Sequence, residues 1–301
     1  MVVPARLNRT PCRRRARAVA IILVVAPALT GCSILSRGFF GAAGPIAAQE
    51  RHEFLIVGLI MLFVIGPVIL LTPLMAWHYR LANTKDAFRP QWGFSWFLEA
   101  LIWIPPSAIV VFLAVMLWQN TARLDPYRAL PSAAPSLEIE AVSLDWKWLF
   151  IYPTLHIATV NQLILPTGRN IHVRLTSGTV MQSLLIPQIA GQIYAMAGMT
   201  TQLNLAVAKP GNYWGENTQF NGDGFQNQKF QLIAMPQAAF DHWVGTTQSN
   251  QSTLDDRTYQ TLARRSVLPH PETYGNVTPG LFATILRHAA PGTQQEPPGH
   301  A

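Results

Sequence analysis

Phe54-Leu-Ile-Val-Gly-Leu-Ile-Met-Leu-Phe-Val-Ile-Gly-Pro-Val-Ile-Leu-Leu-Thr-Pro-Leu-Met-Ala76 runs for about 23 residues without a charge. At ~1.5 Å of rise per residue, such a helix covers a ~30 Å hydrocarbon core. A second stretch, Phe97 to Trp118, has about 22 residues and a single charge, Glu99. Together they predict a transmembrane hairpin. Pro67, Pro73, Pro105 and Pro106 fall inside the two stretches; transmembrane helices tolerate proline when neighbours satisfy the freed carbonyls. Trp77, Tyr79, Trp92, Trp96 and Trp118 stand near the ends, where aromatic side chains settle at the membrane–water boundary.

The loop between the spans carries Arg80, Lys85 and Arg89 against one acid, Asp86. Positive charge marks the cytoplasmic side, which puts both flanks outside. Arg37 and Arg51 in the outer flank pull weakly the other way. Upstream, Arg6, Arg9, Arg13, Arg14, Arg15 and Arg17 precede an apolar run from Ala18 to Leu29 that is too short to span. Leu29-Thr30-Gly31-Cys32 follows, in the pattern of a bacterial lipobox. It predicts a cleaved signal peptide at 1–31 and acylation (a palmitate-type chain) of Cys32, with an uncleaved signal anchor as the alternative. The formal net charge of +7 then falls to about +1, because the leader holds six arginines and no acid (7 minus 6). A nucleic-acid surface therefore does not follow from the high isoelectric point. With Cys12 in the leader and Cys32 acylated, neither of the two cysteines offers a thiolate to a metal.

Beyond the spans the pattern changes. The hairpin region is placed at 32–120 and a Pro- and Ala-rich linker at 121–135. A β-domain follows at 136–245, then a C-terminal arm at 246–290 and a disordered tail at 291–301. Leu137 to Val142 alternates, Trp146 to Tyr152 is aromatic, and 161–165, 171–175, 203–207 and 230–234 are short β-prone runs separated by Gly and Pro turns. These predict an antiparallel sandwich. Two short helices are expected in the arm, at 253–264 and from Thr278-Pro279 to about Arg287. The eight histidines are scattered, no two within five residues, so no helical or turn-type zinc pair exists. No nucleophile–His–acid motif and no Gly-rich phosphate loop is present.

Four segments in order resemble subunit II of the haem–copper respiratory oxidases: Ala76 to Arg80 with Asn83 to Trp92, Leu98 to Pro105, Asp145 to Pro153, and Pro210 to Gly222. The resemblance covers nearly all of the chain after the leader. It implies a two-helix hairpin carrying a cupredoxin-like Greek-key sandwich. In that family the cytochrome c oxidases hold a binuclear copper centre with one His, then a Cys-Ser-Glu-Ile-Cys-Gly-x-x-His-x-x-Met-like loop about 35 residues later. Bridging thiolates, imidazoles and a thioether make a soft metal site, and carboxamides cannot replace them. The pattern falls here on Gln182, Asn217, Gln219 (the backbone-ligating position), Asn221, Phe225 and Gln228, so every ligand type is changed while the spacing is kept.

This loss is similar to the quinol-oxidising, bo-type branch. Gln192 to Met199, Gly222 to Phe225, Ala238 to Val244 and Tyr274 to Ala283 match that branch. The resemblance implies a proton-pumping ubiquinol oxidase of the bacterial inner membrane. Subunit I would hold the haems, the oxygen-site copper and the quinol site, subunits III and IV would be further partners, and this chain would bind no cofactor and have no active site of its own. It also implies that Glu99, the lone carboxylate within a span, lies at the entrance of the K proton pathway; a structural reading, one helical turn from the headgroups, stays open. Trp146 and Trp148, near the position where copper-bearing relatives accept electrons, are expected to pack in the sandwich core. Two other functions stay open: a cytochrome c oxidase subunit that lost its copper site, and a stand-alone periplasmic binding lipoprotein.

Overall fold

A computed structural model describes residues 38–80, 93–131 and 134–289. The leader, Cys32, most of the loop between the spans and the tail lie outside those residues. Two long helices come first, α1 (Pro45–His78) and α2 (Trp96–Arg123). Both are longer than the apolar runs that predict them. α1 starts nine residues before Phe54, with Pro45 in its first turn, where a missing N–H costs nothing. α2 takes in 121–123, the expected start of the linker. The internal prolines do not end either helix. Leu59, Phe63, Leu70, Phe97 and Trp118 are among many large apolar side chains exposed along them. In water such a surface would be untenable, and in lipid it is solvated. The half-buried positions in the second half of α2 recur at Ile109, Leu113, Met116 and Asn120, a 4-3-4 spacing that keeps them on one face of the helix.

The β-domain has a six-stranded sheet in the order β12-β3-β2-β1-β5-β8 and a five-stranded sheet in the order β4-β10-β9-β6-β7. The strands are β1 (Leu137–Leu144), β2 (Lys147–Tyr152), β3 (Ile157–Val160), β4 (Gln162–Pro166), β5 (Asn170–Ser177), β6 (Gln182–Ile186), β7 (Ala190–Ala195), β8 (Thr201–Ala206), β9 (Gly211–Asn217), β10 (Lys229–Met235) and β12 (Glu272–Tyr274). A short pair, β11 (Thr253–Leu254) with β13 (Asn276–Val277), ties the arm together. The sheets are mixed rather than purely antiparallel: β1 runs parallel to β5 and β4 parallel to β10.

β2 is buried at every position, and its period of two explains how. Trp148, Phe150 and Tyr152 point between the two sheets, onto Leu163, Leu165, Ile171 and Leu232. Leu149 and Ile151 point the other way, onto Leu254, Leu262, Leu281, Phe282 and Ile285 of the arm. β2 is therefore covered on both faces, and it reads as a continuous apolar run rather than an alternating one. The arm contributes α3 (Gln237–Gln248), α4 (Asp256–Leu262) and α5 (Leu281–His288). α3 runs through residue 245, where the sequence placed the end of the β-domain; its Phe240 enters the inter-sheet core.

Hairpin and β-domain are joined by more than the chain. The backbone N–H groups of Ala43 and Gly44 donate to the Gln188 carbonyl, and Ala208 N–H donates to the Ala43 carbonyl. After α2, the Pro126 carbonyl accepts from the backbone and side-chain N–H of Asn204, and Asn170 Nδ2 donates to the Leu130 carbonyl. Ala47 is fully buried at this junction.

Candidate functional site

The six positions singled out in the sequence lie at the end of the sandwich away from the hairpin. Gln182 opens β6, Asn217 closes β9, and Gln228 stands just before β10. The register places Leu184 of β6 against Asn217 of β9, which brings Gln182 and Gln228 across the same end. Both glutamines are fully buried and Asn217 nearly so.

Four carboxamides meet there. Gln228 Oε1 accepts from Asn217 Nδ2 at 3.1 Å and from Asn221 Nδ2 at 2.7 Å. Gln228 Nε2 donates to Gln182 Oε1 at 2.5 Å and to the Leu144 carbonyl at 3.1 Å. Gln182 Nε2 donates to Thr179 Oγ1 at 3.1 Å. Asn217 Oδ1 accepts from the backbone N–H of Ser183 (3.0 Å) and Gln219 (2.9 Å), and its Nδ2 donates to the Gln219 carbonyl at 2.7 Å. Gln219 thus joins through its backbone, not its side chain. Phe225 does not join; its ring packs edge-on to Phe220 at 5.7 Å. Of the eight amide heteroatoms in the cluster, only Asn221 Oδ1 is buried without a partner.

This arrangement is a connected polar plug rather than a ligand set. Each amide N–H₂ is a donor and cannot offer a lone pair to a cation, and the oxygens of Gln182, Asn217 and Gln228 already accept hydrogen bonds. A soft copper pair needs thiolates and imidazoles, so the residues present do not fit that cofactor. Among the described residues no cluster of three His, Cys, Asp or Glu could hold a metal ion.

Trp146 and Trp148 divide. Trp148 is fully buried in the inter-sheet core, stacked with Phe150 at 6.3 Å. Trp146 is half-buried in a left-handed turn (φ 68°) between β1 and β2, and Gly224 lies on its indole. A Cβ at 224 would fall 2.1 Å from the ring, which explains a glycine in that loop.

Lys147, between them, had no role in the sequence reading. Its side chain is buried, and Nζ donates to the Arg264 carbonyl and to Ser266 Oγ, both at 2.7 Å. Burial holds its pKa below the ordinary lysine value, with Asp145 and Glu272 opposing. Next to it, Arg265 pairs with Asp145 at 2.9 Å. The arm is thereby pinned across the β1–β2 turn. A β-strand lysine between two tryptophans was the only sequence signal; its partners are more than a hundred residues away. Glu99 lies in the first turn of α2 and accepts from Trp103 Nε1 at 3.1 Å.

The family of cytochrome c oxidase subunit II periplasmic domains matches residues 152–227, which include seven of the eleven strands of the two sheets in full. The chain is 39% identical over 266 residues to cytochrome bo(3) ubiquinol oxidase subunit 2 of Pseudomonas aeruginosa, covering 88% of this chain and 80% of that one. It belongs to the quinol oxidase subunit 2 family. The ubiquinol oxidase subunit 2 of Acetobacter aceti is 42% identical over 260 residues, covering 86% and 83% of the two chains. Among solved structures, the periplasmic domain of cytochrome oxidase subunit II of Bradyrhizobium japonicum covers 40% of this chain and 96% of its own, at 19% identity and a TM-score of 0.37. The family membership accounts for a cupredoxin-like sandwich on two membrane-spanning helices, and so for a membrane-anchored protein.

Proposed function

We propose that this chain is the non-redox subunit II of a proton-pumping ubiquinol oxidase of the bacterial inner membrane. Its β-domain would stand in the periplasm and its hairpin would pack against subunit I. The observation that carries the reading is the four-amide cluster of Gln182, Asn217, Asn221 and Gln228, which occupies the positions that the sequence pattern assigns to copper ligands. Electrons from a soluble cytochrome would find no acceptor in this domain, and a membrane-borne quinol oxidised in subunit I needs none. The relatives named ubiquinol oxidase subunit 2 support the same donor. Haems and the oxygen-site copper would belong to subunit I, with subunits III and IV completing the complex.

Two further assignments rest on sequence. Cys32 would carry the lipid. Glu99 would serve the K proton pathway; its position one turn into α2, with one oxygen held by Trp103, is compatible with a carboxylate oriented at the mouth of a channel. Oxygen uptake by the purified complex tests the main reading. Rapid uptake with ubiquinol and none with reduced cytochrome c is expected, and the reverse would refute it. Glu99→Ala should slow turnover; an unchanged rate removes the proton role.

A further inference from the structure

The end of the hairpin nearest the β-domain holds a groove of about 690 Å³ between α1 and α2. Its walls differ by depth. Val57, Leu113, Met116 and Leu117 line the part that lies along the apolar spans. Glu50, Glu53 and Asp125 line the part nearest the β-domain, with Asn120 between. α1 has 34 residues, about 51 Å at ~1.5 Å each, so its first turns stand beyond a ~30 Å hydrocarbon core. The groove therefore crosses from acyl-chain depth to headgroup depth.

Its charge is one-sided: three carboxylates and no Lys, Arg or His line it. Glu50 is half-buried against Gly191 and makes no hydrogen bond or ion pair with another described residue. Glu53 accepts from Gln49 Nε2 at 2.6 Å, a neutral donor that leaves its charge in place. Asp125 accepts from Tyr127 N–H at 2.9 Å and keeps its second oxygen. Among the described residues, Arg51 is turned away to the Phe40 carbonyl at 2.9 Å and Arg128 donates to the Ala122 carbonyl at 3.4 Å, so neither guanidinium is held on a groove carboxylate. Carboxylates at the edge of lipid are expensive without a cation.

We propose that this groove is a binding site for a phospholipid with a primary ammonium headgroup, an ethanolamine lipid. One acyl chain runs along Leu113, Met116 and Val57, the ammonium lies among Glu50, Glu53 and Asp125, and the Asn120 amide donates to the phosphodiester. A trimethylammonium headgroup has no N–H to donate, and a glycerol headgroup brings net negative charge towards three carboxylates. The inference needs only that the hairpin spans a membrane, so it stands independently of the electron donor.

The test uses the assembled oxidase in nanodiscs of defined composition. A photoreactive ethanolamine lipid is expected to label peptides containing Val57 or Met116, and unlabelled ethanolamine lipid to compete at least about tenfold better than the choline or glycerol analogue, the scale of one charge-assisted contact. In Glu50→Gln/Glu53→Gln the labelling persists but the preference falls to near unity. Labelling elsewhere, equal competition by all three headgroups, an unaltered preference in the double variant, or a polypeptide crosslink from another subunit into the groove would each overturn the proposal. The labelling pattern of the unsubstituted complex decides the matter even if the variant fails to assemble.

Discussion

Replacing Gln228 by Met isolates what the amide cluster contributes. The substitution keeps side-chain length and removes both polar atoms. Two groups are left without a hydrogen-bond partner among the described residues: Gln182 Oε1, which accepts from Gln228 Nε2, and Asn221 Nδ2, which donates to Gln228 Oε1. Asn217 Nδ2 keeps the Gln219 carbonyl, and the Leu144 carbonyl keeps Gln182 Nε2 at 3.4 Å. Gln182 is fully buried, so its orphaned oxygen costs about 1–3 kcal/mol; Asn221 is half-buried and recovers part of its loss from water. A total of about 2–4 kcal/mol follows. The loop closed by this cluster is anchored through two backbone amides, Asn217 N–H to the Gln228 carbonyl and Ser183 N–H to Asn217 Oδ1. If local opening governs their hydrogen exchange, both should exchange about 30- to 700-fold faster in the assembled complex. Protection within about threefold of the unsubstituted protein would refute the view that the amides hold this end together. Adding Gln182→Leu removes the orphaned oxygen, so the double variant should be less destabilised than the sum of the single ones.

Two other outcomes are expected. Lys147 has a depressed pKa in the fold, so the unfolded chain binds its proton more tightly. Stability should therefore rise with pH in the window below the ordinary lysine value of 10.5, and Lys147→Met should flatten that slope when unfolding of the arm is followed by pulse proteolysis. A slope unchanged by the substitution removes Lys147 as its source. In Gly44→Ala the new Cβ would stand 2.6 Å from the carbonyl oxygens of both Ala206 and Ile189, which are backbone atoms and cannot swing away. A loss of about 1–3 kcal/mol at the junction should appear as faster exchange of Ala208 N–H, which is bonded to the Ala43 carbonyl; unaltered exchange would show that the junction yields freely.

The sequence revealed the elements whose pattern is driven by burial. β1, β2, β4, β5, β8 and β10 read as strands because apolar β-prone residues recur in them without interruption from turn residues. β9 did not: Gly211-Asn212-Tyr213-Trp214-Gly215-Glu216-Asn217 looks like a loop. Its Gly215 is there because Phe230 on β10 packs where a side chain would be, 2.2 Å from the Cβ position. β7 is an edge strand with Gln192 and Tyr194 exposed, which breaks the apolar signal. At the amide cluster, the residue types alone showed which chemistry is excluded. They could not show that the amides bond to one another, because that depends on the β6–β9 register and on a loop that returns Gln228 beneath Gln182. The grip of Lys147 on Arg264 and Ser266 was hidden for the same reason.

The ties between hairpin and sandwich have a mechanical consequence. The chain enters α1 beside the β6–β7 turn and the residues just after β8, and it leaves α2 beside β8 and β5. Both membrane rods are thus tied to β8, α1 through Ala208 just beyond its end and α2 through Asn204 within it. The β-domain acts as a clasp: scissoring the rods apart at that end would break backbone hydrogen bonds on both sides of β8, so a neighbouring helix bundle meets a pair whose spacing is set outside the lipid.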